Sequence, residues 1–311
     1  MKRIAIFCRS LAADGHPFKN EYYYDAYFDV LLGLKTRGVA AYFVTHGSYA
    51  GKGVFREAYT ADAKVPLAKL TRERNVKMDL VFDKGGFEAV DVMVLNPPEV
   101  HQVTASKGET YRLFGKYQPT TTLCTDRAEV EVAAAALPGD MIVVKEPDEY
   151  VDGVVSNGGK FVYIGARAEV LGQLPDRYPL LVQEFVDTSV GVPGLTEGAH
   201  DVRVEIGGGE IWGGTLRIPP AGQLKANVAQ GAERRRLTPA ELPPEVKKLA
   251  LEIDKHFAAY PRHYSLDFIH GRQGWKLIEL NNNPGLSPID FSPQAEYITG
   301  RLIEYLIDIC P

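Results

Sequence analysis

Tyr264-Ser265-Leu266-Asp267-Phe268-Ile269, then His270-Gly271-Arg272-Gln273-Gly274, then Trp275-Lys276-Leu277-Ile278-Glu279-Leu280-Asn281-Asn282-Asn283-Pro284-Gly285 is the stretch around which this chain is organised. Two apolar runs joined by a glycine-containing turn predict adjacent strands of a hairpin. Side chains two apart on a strand leave the same face, so Glu279 and Asn281 share one, and Asp267 can reach it from the neighbouring strand. Three oxygen donors converging at a strand end suit Mg²⁺, a hard cation usually held by few carboxylates plus substrate phosphates. A lone E-x-N is as readily a polar strand end in water. The aspartate before it and Asn-Pro-Gly after it shift the balance towards the metal.

The chain around this stretch has 311 residues, about two domains by size alone. A hydrophobic content of 45% and a charged content of 24% are those of an ordinary soluble globular protein. The net charge of −5 argues against a protein that coats nucleic acid. Cys8, Cys124 and Cys310 are odd in number and far apart, which fits a reducing compartment without a disulfide framework. The apolar run after Met1-Lys2-Arg3 stops at Arg9, too soon for a secretory signal, and no run approaches the roughly 20 residues of a membrane span. A cytoplasmic protein without membrane or nucleic-acid partners is therefore expected.

Taken in order, residues 4–8 predict a buried strand. An amphipathic helix follows, with Tyr23, Tyr27, Val30, Leu31 and Leu34 on one face and Gly38 at its end. Residues 39–44, 80–82 and 92–95 add strands, so 1–105 is expected to form a small α/β domain with a mostly parallel sheet. The Tyr22-Tyr23-Tyr24 cluster with Tyr27 could line a pocket, although helical spacing accounts for most of it as packing. Ser106-Lys107-Gly108-Glu109 has the capping-box pattern and predicts a helix to about Tyr117; a second helix starts near Asp126. Strands are expected at 141–145, 162–165 and 180–186, with a short helix at 168–174, making 106–187 a separate lobe. The glycine-rich stretch 191–198 is expected as a mobile connection. Residues 188–311 then supply strands at 201–204 and 210–217, a helix carrying Val246, Leu249, Ala250, Ile253 and Phe257, the hairpin, and a closing helix.

Lys145 ends a strand and is followed by a loop containing Gly158-Gly159. Glycine lets backbone N–H groups approach an anion and lysine adds a point charge, which is a phosphate-binding arrangement. Alone, the same residues fit an ordinary surface hairpin better. No Walker-type sequence is present. Gln183-Glu184-Phe185-Val186 offers backbone donors and acceptors beside an apolar side chain, enough to dock a planar purine, although by itself it is only a strand. Arg203, Arg217 and Lys225 are cations that suit carboxylate or phosphate oxygens, or equally a solvated strand face. Asn227, in a small-residue context before Gly231, is harder to assign to the surface.

The order of these parts, Lys107, Lys145, a glycine loop, Q-E-F-V, D-x-R, R, K-x-N, D and E-x-N-x-x-P-G, resembles the ATP-grasp superfamily over about residues 105–291. The branch containing glutathione synthetase and the ligase that adds glutamate to a ribosomal protein is the most similar. The resemblance implies an α/β (α+β) ATP-grasp fold with a Rossmann-like pre-ATP-grasp domain (1–105), a lid lobe (106–187) and a C-terminal lobe with the metal site (188–311). It implies ATP phosphates on Lys107 and Lys145 under the loop of Gly158 and Gly159, and adenine against Gln183, Glu184, Phe185 and Val186. Asp187 or Asp201 would lie near the ribose. Asp267, Glu279 and Asn281 would hold two Mg²⁺ ions, with Mn²⁺ a possible substitute. Arg217 would face the γ-phosphate and the substrate carboxylate, with Arg203, Lys225 and Asn227 beside it.

The activity so implied is that of an ATP-dependent carboxylate–amine ligase working through an acylphosphate on an amino acid or peptide, in a protein that could form a homodimer. An ATP-grasp kinase acting on a hydroxyl, or a binding module without turnover, are the alternatives. Two features depart from the pattern. Glu146, Asp148, Glu149 and Asp152 place acidic groups in the lid loop, which points to a basic substrate. Lys225 stands where arginine is expected and cannot grip bidentately. The loops 47–56 and 191–200 are expected to shape the substrate pocket.

Overall fold

The computed structural model describes residues 1–15, 17–89, 91–147, 150–151, 154–155, 161–220, 222–223 and 233–311. The expected first strand is β1 (Arg3–Cys8). Helix α1 (Glu21–Thr36), capped by the Asn20 side chain accepting from the Tyr22 N–H, carries the chain to the parallel β2 (Ala40–Thr45). β3 (Tyr49–Gly51), β4 (Val54–Thr60) and β5 (Thr71–Lys77) add antiparallel strands beyond β2. β6 (Leu80–Asp83) and β7 (Met93–Leu95) continue in parallel on the other side of β1. The parallel part matches the sequence expectation, whereas β3–β5 were not expected. The reason is visible in β5, where Thr71-Arg72-Glu73-Arg74-Asn75 lies exposed and shows no apolar alternation. In β1 the period of two splits the burial. Ile4, Ile6 and Cys8 pack with Leu31 and Leu34 of α1, while Ala5 and Phe7 pack with Phe55 and Phe87 on the opposite face.

Helices α2 (Pro98–Ala105) and α3 (Lys107–Phe114) follow. The Ser106 hydroxyl accepts from the Glu109 N–H at 3.2 Å, as the capping pattern predicts. A four-stranded antiparallel sheet comes next, built from β8 (Thr121–Cys124), β9 (Met141–Lys145), β12 (Val162–Ala166) and β13 (Leu180–Glu184) in the order β12-β9-β13-β8. Helices α4 (Arg127–Ala136) and α5 (Arg167–Gln173) cover one face through Val130, Ala134 and Val170. Asp126 caps α4, accepting from the Glu129 N–H. Between β9 and β12 the short strands β10 (Tyr150–Val151) and β11 (Val154–Val155) pair with each other. The acidic loop residues Asp148, Glu149 and Asp152 lie outside the described residues.

The last sheet is five-stranded and antiparallel, in the order β16-β15-β14-β17-β18. It comprises β14 (Asp201–Gly207), β15 (Glu210–Ile218), β16 (Glu233–Leu237), β17 (His263–Gly271) and β18 (Gly274–Asn281), the last two forming the predicted hairpin. Val202, Val204, Tyr264, Leu266 and Phe268 pack on α6 (Pro244–Asp254) and on Val100, Val103 and Phe114 of α2 and α3. The intervening residues present the polar face. The closing helix α7 (Pro293–Ile309) packs elsewhere, because Ile298, Leu302, Ile303 and Leu306 join the core of the first sheet. Residues expected as a mobile connection form a turn held by a Val192–Thr196 bridge, with His270 Nδ1 2.9 Å from Gly191 O. Among the described residues no helix is long and apolar enough to cross a membrane.

Candidate active site

The three larger sheets meet at one cleft of about 1040 Å³. Its floor is the polar face of the five-stranded sheet, and strand register sets the order of side chains across it. One row runs Arg236, Thr215, Arg203, Asp267, Glu279, and the next carries Arg234, Arg217 and Asp201. A bulge between Asp267 and Phe268 leaves Ile278 as the extra residue of β18, so Ile278 and Glu279 both reach the cleft.

Asp267 is the electrostatic centre of this floor. It is 2% exposed and accepts from Arg203 Nε and Nη2 and from Arg217 Nη2, each at 2.7 Å, and from Asn281 Nδ2 at 3.3 Å. Burial alone would raise its pKa, but the Arg203 and Arg217 guanidinium groups outweigh that and hold the carboxyl well below the usual range. Arg217 also pairs with Asp201, whose carboxyl is raised chiefly by burial, with Arg217 opposing. The Arg217 guanidinium itself is held charged. Burial works against it, but Asp267 and Asp201 more than compensate.

The expected metal ligands therefore lie together, though not as equals. Glu279 is half-buried and has no ion pair among the described residues. Asn281 gives its amide N–H to Asp267 and keeps its oxygen available. Asp267 Oδ1 accepts one hydrogen bond and retains acceptor capacity, while Oδ2 accepts three. Among the described residues no three His, Cys, Asp or Glu side chains gather into a metal cage. Two carboxylates and an amide form a sparse, all-oxygen set. That fits Mg²⁺, which keeps sites for phosphate oxygens and water. The group fits the donors, with Asp267 shared between metal and arginine.

Opposite this floor stands Lys145 at the end of β9. It is 6% exposed, and its ammonium has no hydrogen-bond partner among the described residues. Burial pushes its pKa down to about 8, Glu279 and Asp267 pull it back up, and Lys107 adds to the fall. Lys107 lines the same cleft from the first turn of α3. Two like charges facing carboxylates, one of them stripped of water, leave an electrostatic demand that a polyphosphate would satisfy. Gly158 and Gly159, expected above them, lie outside the described residues, as do Lys225 and Asn227.

An apolar slot adjoins the lysines, lined by Val143, Val162, Ile164, Phe185, Ile269 and Ile278 and bounded by Gln183, Glu184 and Val186. The end of β13 is fixed from both sides. Gln183 Nε2 donates to Thr121 Oγ1 and the Glu184 N–H to Thr120 O, both at 2.8 Å. Val186 lies against the hairpin turn, where a Cβ on Gly271 would stand 2.5 Å from Val186 Cγ1. Glycine at 271 is what lets the segment after β13 approach the hairpin. Asp187 accepts from the Ser189 N–H at 2.9 Å, and of the two ribose candidates Asp201 lines the cleft and Asp187 does not.

The remaining wall comes from the tyrosine cluster, which sequence reasoning assigned mostly to packing, and from residues that it passed over. Tyr22 and Tyr23 line the cleft, whereas Tyr24 and Tyr27 pack internally, so the tyrosine cluster divides between the two roles. Lys84, Arg234 and Arg236 also line it. Their signals were present, as a lysine before Gly85-Gly86 at a strand end and as arginines alternating along a strand. Asn96 Nδ2 donates to His263 O and Asn282 O, at 2.6 Å each, and fastens the first sheet to the hairpin. Of the loops expected to shape the substrate pocket, 47–56 contributes nothing to the cleft wall, and 191–200 contributes His200.

The comparisons agree with this geometry. A family model described as a RimK-like ATP-grasp domain matches residues 142–306, more than half of the chain. A probable alpha-L-glutamate ligase of Rhodopirellula baltica is 23% identical over 225 residues, 71% of this chain and 51% of that protein. The chain thus spans about half the length of this curated relative. Among solved structures, a RiPP-associated ATP-grasp ligase of Chryseobacterium gregarium, in complex with ADP and a leader and core peptide, superposes with a TM-score of 0.64 at 14% identity. It covers 100% of this chain and 98% of that one. D-alanyl-alanine synthetase A of Vibrio cholerae gives 0.62 at 16% identity, over 99% and 96% of the two chains. At those identities the likeness speaks for the fold. With cleft, donor set and sequence match in agreement, the chain belongs to the RimK-like ATP-grasp family.

Proposed function

We propose that this protein is an ATP-dependent, ADP-forming carboxylate–amine ligase that makes an amide bond through an acylphosphate. The observation that carries this reading is the juxtaposition across one cleft of the buried Lys145, without an ion pair among the described residues, and the row of Arg203, Asp267 and Glu279, with Arg217 beside it. A carboxylate and a triphosphate repel, and catalysis of their reaction consists largely of positioning and charge neutralisation.

Each group then has a task. The apolar slot takes the adenine against Glu184, Phe185 and Val186. Lys107 and Lys145 hold phosphate oxygens, and Arg217 orients the substrate carboxylate towards the γ-phosphorus. Mg²⁺ on Asp267, Glu279 and Asn281, when bound, neutralises phosphate charge. The carboxylate oxygen bonds to phosphorus as the β,γ-bridging P–O bond breaks and ADP leaves. The amine nitrogen then bonds to the acyl carbon, the C–O bond to phosphate breaks, and the amine loses its proton. Arg203 acts indirectly by fixing Asp267. Gly158, Gly159, Lys225 and Asn227 belong to the same reading, as the cover over the phosphates and as neighbours of the carboxylate.

Two Mg²⁺ ions, replacement by Mn²⁺, a homodimer, a cytoplasmic location and the division at 105 and 187 complete the proposal. Metal titration and sedimentation test the first three. The decisive experiment measures ADP release with Mg-ATP against pools of amino acids and short peptides, starting with L-glutamate, the substrate in the relative's name. Hydroxylamine is present in a parallel arm. Hydroxamate formation supports the ligase, ADP release with a phosphorylated hydroxyl product supports a kinase, and no turnover with any pool refutes both.

A further inference from the structure

The end of the cleft remote from β13 carries more positive charge than a nucleotide uses. Lys84 follows β6 beside the end of β1, at the carboxyl edge of the first sheet. There the chain departs to β2 on one side of β1 and to β6 on the other, the place where such sheets open a crevice. The turn that presents Lys84 is tightly built. The Asp83 carboxylate accepts from the N–H groups of Gly85 and Gly86 at 2.8 Å and of Phe87 at 2.9 Å, so its charge is absorbed by the turn. A Cβ on Gly85 would stand 2.8 Å from Arg9 N, and only glycine lets the turn lie against β1.

Lys84 is 6% exposed and has no ion pair among the described residues. Its ammonium donates to Pro284 O at 2.7 Å, across the cleft in the loop after β18. An ammonium has three donors. Burial pushes its pKa down to about 8, against the pull of Asp83 and Glu205. Glu205 is itself taken by Arg236 at 3.2 Å, and Arg236 also donates to Ser287 Oγ. Arg234 is likewise without an ion pair among the described residues. Its guanidinium lies 5.2 Å from the Tyr22 ring centroid and 4.6 Å from that of Phe291, a placement that fixes it beside the cleft. It is directly opposite Arg217 on the adjacent strand, about 5 Å away at the backbone.

We propose that Lys84 and Arg234 bind a substrate carboxylate other than the one activated beside Arg217, with Arg236 engaged by Glu205 and Ser287. The inference rests on the ligase reading and narrows its substrates to a donor with a second carboxylate or an amino-acid acceptor with a free one. One strand spacing between Arg234 and Arg217 fits a small molecule or a chain terminus.

The test titrates the ADP- and Mg²⁺-loaded protein calorimetrically and follows ADP release in parallel with Mg-ATP. N-acetyl-L-glutamate against its monoamides reports the donor, and L-amino acids against their α-amides report the acceptor. The proposal expects Lys84→Met to weaken the free acid of one series by about ten- to a hundredfold and to leave the matching amide unaffected, because the amide already lacks the interaction. Lys84→Arg should restore part of the loss, and Arg234→Gln should act on the same acid. Circular dichroism checks that the variants fold. The series that responds identifies the source of the carboxylate. Equal weakening of acid and amide, or no effect of either substitution on binding or KM, overturns the proposal while leaving the ligase intact. Lys84-dependent binding without turnover in any pool supports the anion subsite and removes the ligase. Absence of both binding and turnover with every probe overturns both.

Discussion

Asp267→Asn and Glu279→Gln each remove one negative charge from the proposed metal site, yet the structure predicts very unequal effects on stability. Asp267 is 2% exposed and compensates Arg203 and Arg217, themselves poorly exposed. Removing one partner of a buried charge cluster typically costs about 3–5 kcal/mol, because the remaining charges stay buried. Arg217 keeps Asp201, so the lower half of that range is expected for Asp267→Asn. Glu279 is half-buried and has no ion pair among the described residues, so Glu279→Gln should fall within about 0.5 kcal/mol of wild type. Both should weaken Mg-ATP binding. Urea denaturation of the metal-free protein measures the first quantity and calorimetry with and without Mg²⁺ the second. Because the folded-state pKa of Asp267 is depressed, its contribution is complete above the ordinary carboxylate value near 3.8 and is lost as pH falls below it. The share of the difference between wild type and Asp267→Asn that belongs to the Asp267 carboxylate should therefore be complete above about pH 5 and shrink in acid. Asp201, whose carboxyl the Asp267 charge helps to raise, makes the wild-type advantage fall somewhat as pH rises through neutrality. Equal stability of Asp267→Asn and wild type at pH 7 would refute the arginine-centred account. So would a loss above about 1 kcal/mol for Glu279→Gln, which an unpaired side chain cannot supply.

Lys145 has a pKa near 8, and a polyphosphate beside it would raise that value, so nucleotide binding at pH 8.5 should take up protons. Calorimetry in buffers of different ionisation enthalpy measures the uptake, and Lys145→Met should reduce it. Lys84 is also lowered from 10.5 to about 8, so the folded state binds fewer protons than the unfolded chain between those values and its contribution makes stability rise with pH there. Lys84→Met should flatten part of that slope and, allowing for the lost bond to Pro284 O, raise stability at pH 7 by about 1–2 kcal/mol; an unchanged slope counts against the burial argument. Gly271→Ala forces a Cβ towards Val186 and should cost about 1–3 kcal/mol while raising the KM for ATP more than it lowers kcat, since the contact lies on the proposed adenine side.

What could be read from the sequence followed from how local each signal was. The hairpin of β17 and β18 was legible because alternation and a glycine turn specify it within a few residues, and the caps at Ser106 and Asp126 because a cap is a three-residue pattern. Metal candidates two apart on one strand share a face by geometry alone. Asp267 was harder, because its role depends on strands far away in the chain. Arg203 and Arg217 reach it only when β14 and β15 are in register beside β17, and no spacing rule connects them. The same reason hid α7, whose apolar stripe is plain in sequence but whose partner, the core around α1, lies almost a chain length away. That packing gives the site its second wall. By anchoring the end of the chain on the first sheet, α7 returns the loop of Pro284 and Ser287 to the carboxyl edge of β1 and β6, within reach of Lys84 and Tyr22. The floor of the cleft is thus specified by strand periodicity, while the chemistry at its far end depends on where one helix docks. A substitution that loosens α7, such as Leu302→Ala in its buried stripe, should therefore weaken carboxylate binding at Lys84 more than nucleotide binding at Lys145. A nucleotide affinity that fell as far would mean the two ends of the cleft are not separately supported.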